Sequence, residues 1–353
     1  MTKVFGGCLG LWSLIAAIAQ TTHAAPPRKW QESAFAAMST RLTVMVPPEA
    51  NGPAAFELVA ATFDAVEAEM SEWRAGSPLA RLNQAAGTAP VVVPPELLGL
   101  IGRAVELGAT THGAFDLTWA ALWPLWQFPR SGRGADGELL HPPRSAAIES
   151  ALRLIDYRRV VVDRARGTVY LPQAGMKVGL GGIAKGWALD RAAAGLRALG
   201  LSDFLLDAGG QVMAIGRRDG HPWRVGLRQP RGGLDDRFGQ LEVSGQSVST
   251  SGDYEHFFVA AGVRYHHIID PRSGWPSRGL MCATAIATDA TLADGLSTAF
   301  MVLGVERALA LVAELRASGS AVDAVLVDDR GGVHMSPDLA GRFRQTSPVQ
   351  VRP

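Results

Sequence analysis

The chain has 353 residues, 47% of them hydrophobic and 19% charged, so it can bury a large core and is neither collagen-like nor a low-hydrophobicity disordered chain. Single cores stop growing near about 250–300 residues, which fits one large domain or two intergrown lobes and argues against a string of small modules. With 34 Lys+Arg against 33 Asp+Glu there is no basic footprint for a phosphate backbone, and nucleic acid is excluded as a partner.

The chain opens with Lys3, an apolar run from Val4 to Ala19, and a stretch of small and polar residues ending in Ala24-Ala25 before Pro26-Pro27. These are the parts of a secretory signal peptide, read here as residues 1–24 with the working domain from 25 to 353. The run is shorter than the roughly 20 apolar residues of a spanning helix and is broken by Gly6, Gly7, Gly10 and Ser13. Cys8 lies inside the run and not behind a lipobox, so the expected product is a soluble periplasmic protein. Cleavage leaves Cys282 as the one thiol, with no internal disulfide open to it. Its surroundings read as those of a small buried hydrophobe.

Further along, Met38 to Val46 alternates as a strand does, and Ala54 to Trp73 carries Phe56, Val59, Phe63, Val66 and Met70 on one helical face. Pro95 to Gly108 and Arg144 to Leu154 read as helices, with a loop by composition at Pro129 to Gly137. Val160 to Val162 and Thr168 to Leu171 form a hairpin pattern, and Gly179-Leu180-Gly181-Gly182 opens a helix that runs to Leu199. Short strands follow at 204–207, 212–215, 223–227, 240–243, 257–259, 263–267 and 282–287. Helices at 292–303 and 305–317 precede two closing strands at 322–327 and 333–335. Strands in runs and helices in pairs predict an α+β fold, not a βαβ alternation.

Several local patterns carry chemistry. The glycines before Lys185 allow close backbone approach to a ligand, and first-turn amides attract phosphate. Lys185 is wrongly spaced for a Walker loop. A dinucleotide fingerprint with Asp207 as the acid is the competing structural reading. Asp294 and Thr298, four apart on a helix, would share a hard cation, or Thr291 and Asp294 would form a capping box. His266 and His267 adjoin on a strand, so at most one faces a given site. Ser249 to Tyr254 lacks a nucleophile elbow and reads as a turn. Trp119, Trp123 and Trp126 would bracket a flat ring or, more simply, line a buried helix face.

In order along the chain stand Met38-Ser39-Thr40, Ser77-Pro78-Leu79-Ala80-Arg81-Leu82-Asn83, Ala114-Phe115-Asp116, Gly182 through Asp190, Asp207-Ala208-Gly209-Gly210, Ser251-Gly252-Asp253-Tyr254, His267 through Pro271, and Ala293 through Thr298. This series resembles the FAD:protein FMN transferase (ApbE-like) family from about Met38 to Leu303. The resemblance implies an α+β fold of two intertwined halves with FAD bound between them. It also implies Mg²⁺-dependent transfer of FMN to a Thr or Ser of an exported acceptor, a redox or electron-transfer protein, with release of AMP. Contact with the membrane would come only through that acceptor.

Carried over by position, Met38, Trp73, Ala114, Phe115, Asp116, Gly179, Lys185 and His267 are expected to contact the flavin nucleotide. Gly182, through its carbonyl, with Asp294, Ser297 and Thr298, is expected to hold the metal. His267 and Asp294 are the residues expected to carry the chemistry, His267 by accepting the acceptor-hydroxyl proton or by orienting the phosphate, since an unperturbed histidine titrates nearest neutrality, at about 6.5. Two positions depart from the family pattern. Trp73 replaces a Tyr, and Gly179 replaces an acid. The second departure raises a rival reading, a silent FAD binder, and predicts that Gly179→Asp tightens FAD binding; a further rival keeps the metal chemistry but lets water attack, an FAD pyrophosphatase.

Overall fold

The computed structural model describes residues 29–128 and 140–351, so the export segment and the whole of the Pro129–Gly137 loop lie outside the described residues. Eight strands form the central sheet: Gln31–Ala37, Thr40–Val46, Phe204–Ala208, Gln211–Ile215, Gln246–Gly252, Leu280–Ala287, Val322–Asp328 and Val333–Met335. Their order in space is their order in the chain, and each neighbouring pair is antiparallel. An antiparallel sheet has none of the parallel crossovers of a dinucleotide-binding fold, so the Asp207 fingerprint reading is set aside. Asp207 instead accepts from Gly210 N at 3.0 Å within its own turn.

All eight residues of Leu280–Ala287 are buried because both sheet faces are covered. Ala283, Ala285 and Ala287 join the core beneath the helices, whereas Cys282 and Ile286 join a second core on the opposite face. The small alanines let helices approach the sheet closely. Those helices are α1 (Gly52–Met70), α5 (Ala184–Ala198) and α6 (Ala290–Ala317), with α2 (Pro78–Gln84), α3 (Pro95–Thr110) and α4 (Ser145–Leu152) falling between α1 and α5 in the chain. The opposite face is closed by a three-stranded sheet of Trp223–Arg228, Arg237–Val243 and Phe343–Gln345. Trp223, Val225 and Leu227 turn inward from it at period two.

Two sequence expectations change in detail, whereas the helical pair 292–303 and 305–317 is as the sequence indicates, the two helices meeting at Gly304, whose φ of 74° and ψ of 178° are not helical. Met38 and Ser39 are not in a strand. They form the two-residue connection between the first two strands, with φ of 47° and 60°. Such hairpin turns demand positive φ at both positions and usually take Asn-Gly, so this turn holds backbone strain. Finally, Ser249 to Ser251 are not a turn but part of a central strand, paired on both edges. Tertiary contacts satisfy their hydroxyls, which removes the competition with backbone that makes serine a turn former. The shorter hairpin Val161–Asp163 with Thr168–Tyr170 is as the sequence indicates.

Candidate functional site

The glycine turn is fixed from two sides before α5 begins. Asn83, at the end of α2, clamps Val178 by donating to its carbonyl at 2.9 Å and accepting from its amide at 2.8 Å. Gly179 N donates to Leu117 O at 2.8 Å. Helix α5 then starts at Ile183 without a side-chain cap, leaving its first turn open to an acceptor from elsewhere. Asp294 supplies one: its Oδ2 accepts from Gly186 N at 3.0 Å, and its Oδ1 lies 3.8 Å from Lys185 Nζ.

Asp294 is therefore not the cap of its own helix. Asp289 occupies that position and accepts from Leu292 N at 2.7 Å. Asp190, on α5, receives Ala290 N and Thr291 N at 2.9 Å each, together with the Thr291 hydroxyl. With the start of α6 satisfied twice over, the Thr291–Asp294 capping box is replaced by a cap across helices. One turn on, Thr298 Oγ1 lies 3.3 Å from where a Cβ on Gly182 would stand, and Phe115 Cε2 is equally near it. Any larger residue at 182 would crowd that hydroxyl. Asp294 and Lys185 thus meet at the start of α5, and Thr298 stands against Gly182 just before it. Ser297, fully buried, donates to Asp294 O at 2.8 Å and meets Ser251 Oγ at 2.8 Å and Ser249 Oγ at 3.3 Å, a hydroxyl network behind the carboxylate.

Only His266 lies in the strand Val263–His266, with His267 in the bend just past it, and the two rings take different partners. His266 Nδ1 accepts from Ile268 N at 3.3 Å, so its Nε2 carries the proton and donates to Ser277 O at 2.8 Å. Burial holds its pKa below the usual histidine range. His267 packs its ring against that of His256, with centroids 5.3 Å apart, and its buried Nδ1 has no hydrogen-bond partner among the described residues. Burial, helped by His256 and then by nearby charges including Lys185, pushes its pKa down to about 3. The unperturbed value of about 6.5 does not hold, and the ring is neutral at physiological pH.

The remaining assigned residues divide. Ala114 and Phe115 are buried beside the start of α5. Asp116 spends its oxygens internally, Oδ1 on the Thr118 amide and hydroxyl at 2.8 and 2.6 Å and Oδ2 on Tyr157 N at 2.9 Å. It latches the short helix Leu117–Leu125 at the edge of a cleft of about 240 Å³ shared with His112, Tyr157 and Arg272. Burial raises its pKa above the ordinary aspartate value, against the pull of those hydrogen bonds. Met38 N, in the strained turn, donates to Glu67 Oε2 at 3.0 Å. Trp73 is 62% exposed and meets Trp123 edge-on at 4.8 Å, and Trp119 meets Trp123 at 5.3 Å. Trp126 lies elsewhere, in a buried aromatic cluster with Phe128 and Phe258. Asp253, next to the serines, is held bidentate by Arg231 at 2.6 and 2.7 Å, which leaves no Ser-His-Asp relay.

Gly179 gives the sharpest departure from expectation. A Cβ there would lie 2.8 Å from Glu72 Oε2 and 2.9 Å from Ala120 Cβ. The place where the family pattern puts an acid already holds a carboxylate, supplied by Glu72 from the end of α1. Gly179→Asp would thus oppose two carboxylates in a space too small for the added carbon, and the expected gain in affinity becomes an expected loss. Glu72, Asn83 and Asp190 carry no site role in the sequence reading. The motif runs contain the last two, but their partners lie about a hundred residues away.

Comparison with known proteins gives a consistent picture. The profile of the ApbE family matches residues 38–322. The chain is 37% identical over 312 residues to a protein of Treponema pallidum named FAD:protein FMN transferase, covering 84% of this chain and 83% of that one. A protein of Klebsiella pneumoniae with the same name is 32% identical over 304 residues, 85% of each chain. Among solved structures, the apbe protein of Thermotoga maritima superimposes with a TM-score of 0.78 at 33% identity, covering 88% of this chain and 98% of that one. The apo flavinyl transferase ApbE of Pseudomonas stutzeri gives 0.74 at 30% identity, covering 90% and 99%.

Proposed function

This chain belongs to the ApbE family, and on that premise we propose that it splits the diphosphate of FAD and transfers FMN to a Thr or Ser hydroxyl of an exported acceptor, releasing AMP. It is an enzyme of the flavin transferase class. The observation that carries the finer reading is the convergence of Asp294, Thr298 and Lys185 on the glycine turn at the open start of α5.

The Asp294 carboxylate, the Thr298 and Ser297 hydroxyls and the Gly182 carbonyl are all hard oxygen donors, the set that suits Mg²⁺. Among the described residues no group of three or more His, Cys, Asp or Glu gathers, so such an ion would lean on substrate phosphate oxygens as well. Bound there, Mg²⁺ would neutralise charge building on the diphosphate. The chain's own residues would do the rest. First-turn amides of α5 and the Lys185 ammonium would hold the phosphates in place. His267, neutral and with Nδ1 unsatisfied, would accept the hydrogen bond of the acceptor hydroxyl and aim its oxygen at the FMN phosphorus. The new O–P bond would form as the bond to AMP breaks, and the hydroxyl proton would be taken up by the departing AMP phosphate.

The acceptor would be an exported redox protein, in keeping with the signal-peptide pattern of residues 1–24. Incubation of the protein with FAD, Mg²⁺ and an acceptor fragment tests the reading by following AMP and flavin-labelled acceptor together. Free FMN with unlabelled acceptor would convert it to a pyrophosphatase, and FAD binding with neither product would refute turnover.

A further inference from the structure

Glu72 and Trp119 flank one small space. The Glu72 Oε2 atom lies 2.8 Å and the Trp119 Nε1 atom 3.2 Å from the point where a Cβ on Gly179 would stand. One is a hydrogen-bond acceptor and the other a donor, and among the described residues no hydrogen bond engages either Glu72 oxygen or the Trp119 indole N–H. Holding a carboxylate half-buried without a donor costs stability, so the arrangement calls for a ligand group that completes it. Beside it, Trp123 meets both Trp119 and the exposed Trp73 edge-on, presenting aromatic surface for a flat ring.

We propose that Glu72 and Trp119 read the edge of a flat nitrogen heterocycle of bound FAD, Glu72 accepting from a ring-edge N–H and Trp119 donating to the adjacent carbonyl or ring nitrogen. Both ends of FAD offer that chemistry, the imide edge of the flavin and the amine edge of adenine, and the two are separable by experiment. The inference rests on the reading of this chain as an FAD-using transferase. It gives the carboxylate a task distinct from the metal and phosphate residues.

Burial raises the Glu72 carboxyl to about 7, and Lys177, on the approach to the glycine turn, is the charged group that pulls it back. Ring binding that needs the ionised form therefore tightens by about tenfold between pH 6 and 8, the ratio of ionised fractions for that pKa. Isothermal titration of FAD, FMN and AMP into the wild type and Glu72→Gln across this range, without acceptor, tests the proposal. FAD and one of the two halves should show the slope in the wild type, the responding half identifying the ring, and Glu72→Gln should abolish it. Glu72→Ala should weaken FAD by about ten- to hundredfold, the range for a lost hydrogen bond to a charged group. A fold control is available. Glu72→Gln should melt higher than wild type at pH 8 and alike at pH 4.5, because only the wild type must ionise a buried acid. FAD bound with no pH slope in the wild type, or with the same slope in Glu72→Gln, overturns the proposal. Failure of FAD to bind at all refutes the transferase reading instead.

Discussion

Replacing Asp294 by alanine removes a carboxylate that is 4% exposed and accepts from Gly186 N at 3.0 Å. The buried amide left behind costs about 1–3 kcal/mol. The contact with Lys185 Nζ is 3.8 Å long and partly exposed, so it adds at most about 1 kcal/mol. The sum, about 1–4 kcal/mol, lowers the melting temperature of a chain this size by roughly 2–6 °C. That range is centred above the loss of an exposed helix cap, the alternative role that the sequence leaves open for Asp294 beside metal binding. Asp294→Asn separates fold from function, because its amide oxygen still accepts from Gly186 N while the charge is gone. The asparagine variant should melt within about 1 kcal/mol of wild type and transfer no FMN. Mg²⁺ added to the FAD-bound protein at a hundredfold excess over the metal's Kd should stabilise wild type by about a further 2.7 kcal/mol and leave the FAD-bound asparagine variant unmoved. Wild-type turnover of Asp294→Asn at saturating Mg²⁺ would refute the assignment.

The adjacent histidines should part company. His266→Ala loses the buried bond to Ser277 O and should destabilise by about 1–3 kcal/mol, whereas His267→Ala should slow transfer at saturating FAD with little change in melting. Since the folded-state pKa of His267 lies near 3, below the unfolded value, its neutral burial contributes stability above about pH 6.5 that is lost as pH falls toward 3. Thermal melts of His267→Ala should show a shallower acid decline, and an unchanged profile would contradict its placement. Gly179→Asp should weaken FAD in calorimetry, and tighter binding would show that Glu72 swings clear of the added group. Asp190→Ala, which strips two amides and a hydroxyl at the start of α6 of their acceptor, should melt earlier by about 1–3 kcal/mol, and an unchanged melting curve would show that Asp289 suffices.

What could be read from the chain alone follows a physical divide. Local periodicity located the helices, the break at Gly304 and most strands, because amphipathic repeats and glycine punctuation act over a few residues. The i, i+4 pair Asp294 and Thr298 was visible for the same reason. The central strand Gln246–Gly252 was not, since its serines are stabilised there by Ser297 and by neighbouring strands far along the chain. Nor was the Met38-Ser39 turn, where residues unsuited to positive φ are held by the sheet on either side and by Glu67. Glu72 was silent for a deeper reason. Nothing in its neighbours indicates that its carboxylate reaches Gly179, and the absence of an acid at 179 looks like a lost function until the fold brings the two together.

In the proposed transfer, scission of FAD and labelling of the acceptor are one event at the Asp294 site. Quantifying AMP and acceptor-bound FMN from the same reaction, with Asp294→Asn in parallel, tests it most directly. The account predicts equal amounts of the two products in the wild type, with flavin mapped by mass spectrometry to a Thr or Ser of the acceptor, and neither product in the variant. AMP formed in excess over labelled acceptor, or labelling that survives in Asp294→Asn, would contradict it.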